Sequence, residues 1–138
     1  MRPAQRLAAC IIAVAIAGCR TAAPPPVETG MTQVTGSWGG DHVSLVLTAE
    51  TGELEFDCAS AVIAGGLSVD GSGTFSADGR YSSRGGPEQA GRPRPSAPAR
   101  FSGSISGDRM TLLVRVEQSE IGSFALRRGA EPVLFRCL

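Results

Sequence analysis

The chain has 138 residues, with 13 basic side chains balanced by 13 acidic ones and 42% hydrophobic residues. Every basic residue is arginine and asparagine is absent, a combination that fits a GC-rich genome better than selection for the guanidinium fork. The balance excludes the basic excess of a nucleic-acid-binding domain, and the length excludes more than one domain of ordinary size.

At the N-terminus, Arg2 and Arg6 precede an unbroken apolar run from Leu7 to Ala17, and small residues then lead to Cys19. The run is too short for a membrane-crossing helix, which needs about 20 residues. Charge, short apolar core and small-residue exit together predict a cleaved secretory signal over 1–18. The exit, Ile16-Ala17-Gly18-Cys19, resembles the lipobox of bacterial lipoproteins. That resemblance implies a diacylglyceryl group on Cys19, which becomes the mature N-terminus and a membrane anchor; two or more acyl chains hold stably where one is marginal. Arg20 follows Cys19, in the place where enterobacterial lipoproteins retained at the inner membrane carry aspartate. The resemblance therefore implies the cell envelope of a Gram-negative bacterium, at the periplasmic face of the outer membrane.

Residues 19–33 combine this lipidated end with the proline-rich stretch Thr21 to Gln33, which shows no apolar periodicity and predicts an extended tether. At about 3.1 Å per residue such a tether reaches roughly 40 Å. Loss of Arg2 and Arg6 leaves eleven arginines against thirteen acids, a mature net charge of −2.

Residues 34–138 read as one all-β domain. Val43, Leu45 and Leu47 alternate with Ser44, Val46 and Thr48; after Thr51-Gly52, Leu54, Phe56 and Cys58 alternate with Glu53, Glu55 and Asp57. Period-two patterning on both sides of a glycine break predicts an antiparallel hairpin. Further strands are expected around Phe75, from Phe101 to Ile105, from Met110 to Val116, from Ile121 to Leu126 and from Leu134 to Leu138, separated by Asp78-Gly79, Gly107-Asp108 and Gly129 to Pro132. Many short strands with glycine-rich turns predict a small antiparallel up-and-down barrel of about eight strands, with a two-sheet β-sandwich as the alternative. Phe56, Phe75, Phe101, Phe124 and Phe135 are the expected aromatic core.

Beyond the anchor, Cys58 and Cys137 form an even pair in an exported chain, which reads as a disulfide. A loop of roughly 80 residues closed this way stabilises by about 4 kcal/mol in the chain-entropy model. Two distant sulfurs and the single His42 do not have zinc-site spacing, so no metal or other cofactor is expected. Gly36-Ser37-Trp38 resembles the G-x-W entry of lipocalins and related calycin barrels. The resemblance implies a tryptophan plugging one barrel end with an arginine of the last strand across it, assigned to Arg127, and a barrel in which a small apolar ligand is possible.

Enzymatic chemistry finds little support. Asp41 adjoins His42, but neighbours in a strand face opposite ways. Gly103-Ser104-Ile105-Ser106-Gly107 has isoleucine where a nucleophile elbow has its nucleophile. No catalytic residue is assigned and no enzyme is expected. The segment Arg80 to Arg100 carries five arginines against Glu88, a net of +4, leaving −6 for the remainder of the mature chain. Its composition predicts a flexible basic loop at about 85–99, and Arg80, Tyr81, Arg84, Arg92 and Arg94 are the candidate partner-binding residues, facing an anionic envelope component or a protein partner. The expected function is that of a non-enzymatic binding or interaction module anchored to the envelope. An alternative is a periplasmic inhibitor of a hydrolase such as a lysozyme or protease, because Gly79-Arg80-Tyr81-Ser82 is similar to an inhibitor loop of the lysozyme-inhibitor type.

Overall fold

A computed structural model of the protein describes residues 23–24, 30–85 and 90–137. The signal segment, Cys19, most of the tether and residues 86–89 of the basic stretch lie outside them. The described chain is all-β. Strands β2 (Gly36–Gly40), β3 (Val43–Leu47), β4 (Thr51–Phe56) and β5 (Ala59–Ala64) form a meander. Strands β7 (Thr74–Ser83), β8 (Ser96–Ser106), β9 (Arg109–Val116) and β10 (Ser119–Arg128) continue it, and β10 pairs with β2 to close an eight-stranded antiparallel barrel. Two further strands, β1 (Thr32–Val34) and β6 (Leu67–Val69), leave the barrel and pair with each other.

The alternation seen in the sequence becomes an inside and an outside. In β4, Gly52, Leu54 and Phe56 face inward while Thr51, Glu53 and Glu55 are exposed. Val43, Leu45, Ile63, Phe101, Leu112 and Val114 show no exposed surface. A ligand-sized void would give its lining side chains accessible area, so these residues fill the barrel themselves, as small barrels do. The outer wall is charged: Asp78, Arg100, Arg115 and Glu120 form one row across β7 to β10, with Arg100 and Asp78 3.1 Å apart and Arg115 and Glu120 3.8 Å apart. Such exposed pairs contribute little stability, but an apolar interior under a charged wall is the reverse of a membrane-spanning barrel.

The aromatic core is smaller than expected. Phe56, Phe75 and Phe101 are buried and Phe124 packs at the margin, but Phe135 is 60% exposed. Its segment is the reason. Residues 134–138 were expected as a strand; instead, after β10, the chain runs back along the outside of β2. Gly129 N–H donates to Ser37 O, Val133 N–H donates to Gly40 O, and His42 N–H donates to Val133 O, with one parallel bridge joining Asp41 and Val133. We call residues 129–137 the strap.

Gly39 explains why the strap lies there. A Cβ on this residue would stand 2.1 Å from Ala130 O and 2.8 Å from Pro132 N, both backbone atoms that cannot swing aside. Gly39→Val is therefore expected to lift the strap while the barrel stays closed. Loss of its hydrogen bonds should speed amide exchange at Val133 by about tenfold or more, with an unchanged far-ultraviolet circular dichroism spectrum.

The two barrel ends differ. At one end Gly36, Leu47 and Gly52 lie side by side beneath the β1–β6 ribbon, whose Val34 and Leu67 are buried. Gln33 Nε2 donates to Ala49 O there, 2.5 Å away. At the other end Gly40, Val43, Phe56, Ala59 and Ser83 are in register. The chain enters the fold at the ribbon end.

Candidate functional site: a cleft under the C-terminal strap

Opposite the ribbon, a cleft of about 680 Å³ opens between the barrel rim and the strap. Glu55, Phe56 and Asp57 supply the barrel wall, and Arg84 and Arg94 come from the connection between β7 and β8. Pro132, Leu134, Phe135, Arg136 and Cys137, all of the strap, supply the rest.

Three attachments hold the strap end. Cys58 and Cys137 form a disulfide with their Cα atoms 5.4 Å apart, the pairing expected from the sequence. Asp57 accepts from Phe135 N–H at 2.8 Å through Oδ1, and its Oδ2 lies 2.6 Å from His42 Nδ1. The His42 and Phe135 rings stack with centroids 5.3 Å apart. His42 has a positive φ of 67°, uncommon for a residue with a side chain, and its ring is engaged by the Asp57 carboxyl and the Phe135 ring. The Phe135 N–H, followed by the His42 ring, holds the Asp57 carboxyl below its ordinary value of 3.8 against the opposing effect of partial desolvation.

This dictates a direction with pH. Because the folded-state pKa of Asp57 is depressed, its contribution is fully present above the ordinary carboxylate value and is lost as pH falls through the lowered one. Amide exchange at Phe135, corrected for its intrinsic pH dependence, is expected to rise in that acid range. Asp57→Ala should show the raised exchange at neutral pH as well.

The arginines divide by position. Arg84 N–H donates to Cys58 O at 2.7 Å, and its Nη2 donates to Glu55 Oε1 at 3.1 Å, so both backbone and side chain fix it at the rim. Arg94 shares that rim. Arg92 is exposed and does not line the cleft. Arg80 stands outside it, clamping β7 to β8 by donating to Ser96 Oγ at 2.8 Å and Ser96 O at 2.7 Å. Tyr81 packs half-buried against Phe56 with ring centroids 5.8 Å apart, and burial raises its hydroxyl pKa. Gly79-Arg80-Tyr81-Ser82 thus lies within β7, paired with β8 along its length, and not on a projecting loop. The expected loop is shorter too, since β8 begins at Ser96.

Arg127 is a correction. The cation over the Trp38 ring is Arg128, with its guanidinium carbon 4.3 Å from the ring centroid. Arg128 is the cross-strand partner of Trp38, so both lie on one face, whereas Arg127 is set against Gly39 on the other. Arg128 also donates from Nη1 to Thr35 O at 2.6 Å. Trp38 is 1% exposed, and its indole N–H finds no acceptor.

Sequence reading missed Arg136, Leu134 and Phe135 as cleft residues, and it missed the His42–Asp57 contact. One signal was present: once Cys137 is joined to Cys58, the adjacent Arg136 is carried to the same rim. The register that sets Val43 opposite Phe56 brings His42 to Asp57, but the turn expected at Thr51-Gly52 does not give that register. Among the described residues, no group of three or more histidine, cysteine or acidic side chains is placed to hold a metal ion, and no helix is long and apolar enough to cross a membrane. Comparison with protein-family models, curated proteins and solved structures finds no match to the chain.

Proposed function

We propose that the protein is a lipid-anchored envelope lipoprotein whose barrel serves as a non-catalytic module binding an anionic envelope partner. The observation that carries the binding reading is the strap cleft, where Arg84, Arg94 and Arg136 share one opening with an apolar wall. Three arginines against the two carboxylates Glu55 and Asp57 leave the opening with a net charge of +1; Asp57 is held by Phe135 N–H and His42, and Glu55 accepts one donor of Arg84. The filled barrel favours a partner at the rim over a small apolar ligand inside.

Anchoring rests on the Ile16-Ala17-Gly18-Cys19 lipobox. The chain enters the fold at the ribbon end, opposite the cleft, so the anchor would leave the cleft opening unobstructed.

Two measurements test the reading. Cys19→Ser should abolish incorporation of labelled palmitate and move the protein from the membrane fraction to the soluble one; retention of both would refute anchoring. A crosslinked pull-down of the lipidated protein should lose its main partner in the Arg84→Ser/Arg136→Ser variant, and identical partner lists would refute the cleft as the binding site.

A further inference from the structure

The strap contributes half of the cleft but nothing to the barrel core. Every residue from 129 to 137 is exposed or half-exposed, whereas among the described residues the buried hydrophobic side chains lie between Val34 and Leu126. The barrel is closed by β10 against β2 before the strap begins. The disulfide is therefore not a staple of the barrel. It fastens a strap laid over a finished one.

We infer that the cleft is a disulfide-assembled site for a small carboxylate or phosphate ligand bearing an apolar group. The inference rests on the binding role proposed above. It deepens that role by naming the ligand chemistry and the bond on which the site depends. The anion would meet Arg136 on the strap and, on the fixed rim, the donors of Arg84 beyond the one that Glu55 accepts, because the planar guanidinium fork matches carboxylate and phosphate oxygens. Its apolar part would lie against Phe56 and Leu134. Arg136 adjoins Cys137, so the disulfide sets the separation between the two arginine-bearing walls.

Both cysteines of the bridge are exposed, within reach of a dithiol. In the exchange, a dithiol thiolate attacks one sulfur of the bridge to form a mixed disulfide and release the other as a thiol. The second dithiol sulfur then displaces the protein, leaving two protein thiols and an oxidised dithiol. Without the bridge, the strap end retains the Phe135 N–H bond to Asp57, the His42 stack and the hydrogen bonds at Val133. These are solvent-exposed contacts, the kind that open locally at low cost.

The test uses the full-length protein in a non-ionic detergent, with benzoate and phenyl phosphate as probes and benzamide as the uncharged isostere. Equilibrium dialysis of the oxidised protein should show binding of at least one anion near 1 mM, on the order expected for so small a ligand, and about tenfold weaker binding of benzamide. The relative strength of benzoate and phenyl phosphate distinguishes carboxylate from phosphate chemistry. Reduction with dithiothreitol, or the Cys58→Ser/Cys137→Ser variant, should abolish anion binding, raise amide exchange at Phe135 and leave the far-ultraviolet spectrum unchanged. Arg136→Ser, which keeps bridge and strap, should also lose the anion and so covers the case of a misfolding cysteine variant. Undiminished anion binding after reduction would overturn the dependence on the disulfide while leaving the binding role standing. Failure of both anions to bind the oxidised protein would overturn the ligand assignment, while the pull-down decides separately whether the cleft binds an envelope partner.

Discussion

Trp38→Ala is expected to destabilise the barrel by about 3–5 kcal/mol, the range for removing a large aromatic ring from a packed core. Trp38 is 1% exposed, it bridges β10 and β3 by cross-strand pairing with Arg128 and Leu45, and the Arg128 guanidinium covers its face. Small domains have only about 5–15 kcal/mol of total stability, so the loss is a large fraction of the whole. Trp38→Phe should behave differently. It keeps most of the apolar contact and removes a buried N–H without an acceptor, whose burial alone costs about 1–3 kcal/mol. A loss under about 1.5 kcal/mol is expected, roughly that of a conservative hydrophobic exchange. Urea denaturation followed by circular dichroism measures both variants, since Trp38 is the single tryptophan and cannot report on its own removal. Equal losses for the two would show that a phenyl-sized ring contributes nothing at this position and would overturn the packing account.

Reduction of the disulfide is expected to lower the melting temperature by about 10 °C without unfolding the protein at ordinary temperatures. The bridge closes 79 residues in sequence, and restricting that loop in the unfolded chain stabilises by about 4 kcal/mol. The folded state does not receive the full benefit. With the barrel closed by Arg128, the same bridge orders only the short strap beyond it, and closing a loop of about nine residues costs roughly 2.5 kcal/mol in the same treatment. The difference, about 2 kcal/mol before strap contacts are counted, corresponds to a shift of about 10 °C in a domain of this size. Calorimetry with and without dithiothreitol decides the matter. A loss of the whole 4 kcal/mol or more would mean that the strap is integral to the barrel.

The alternating runs made the barrel legible, because one inward side chain in two is a requirement of the pleat. The β3–β4 hairpin is the clearest case. Its turn, however, was expected at Thr51-Gly52 and falls at Thr48 to Glu50, where the Thr48 hydroxyl accepts from the backbone N–H of Glu50 and Thr51. A side-chain hydroxyl does the work that glycine does elsewhere, leaving Gly52 inside β4, where a Cβ would press on Leu47 and Ile63. Pro98 falls in the loop expected at about 85–99 from its basic, proline-rich composition. It lies in β8 opposite Arg80, just before the pairing with β9 starts at Ala99, so the missing N–H interrupts nothing. The excursion of β6 to join β1 had no signal beyond Gly65-Gly66, since a three-residue strand is too short to display a period. The cleft was legible only in part. Composition identified Arg84 and Arg94, but the strap alternates like a strand, and its path depends on Gly39, Asp57 and a cysteine distant in sequence.

The pairing of Trp38 with Arg128 has a consequence for the order of events during biogenesis. The first barrel strand is completed last, because its partner is made after nearly all the rest. A chain emerging from its N-terminus holds β2 at the open margin of a growing meander, with the Trp38 ring uncovered, until β10 arrives. The late contact spans 90 residues, and long-range closure of this kind is slow. A nascent chain stalled before Ser119 is thus an open sheet with an available edge, the form most prone to pairing with a neighbour. Completion of the C-terminus removes that hazard in one step.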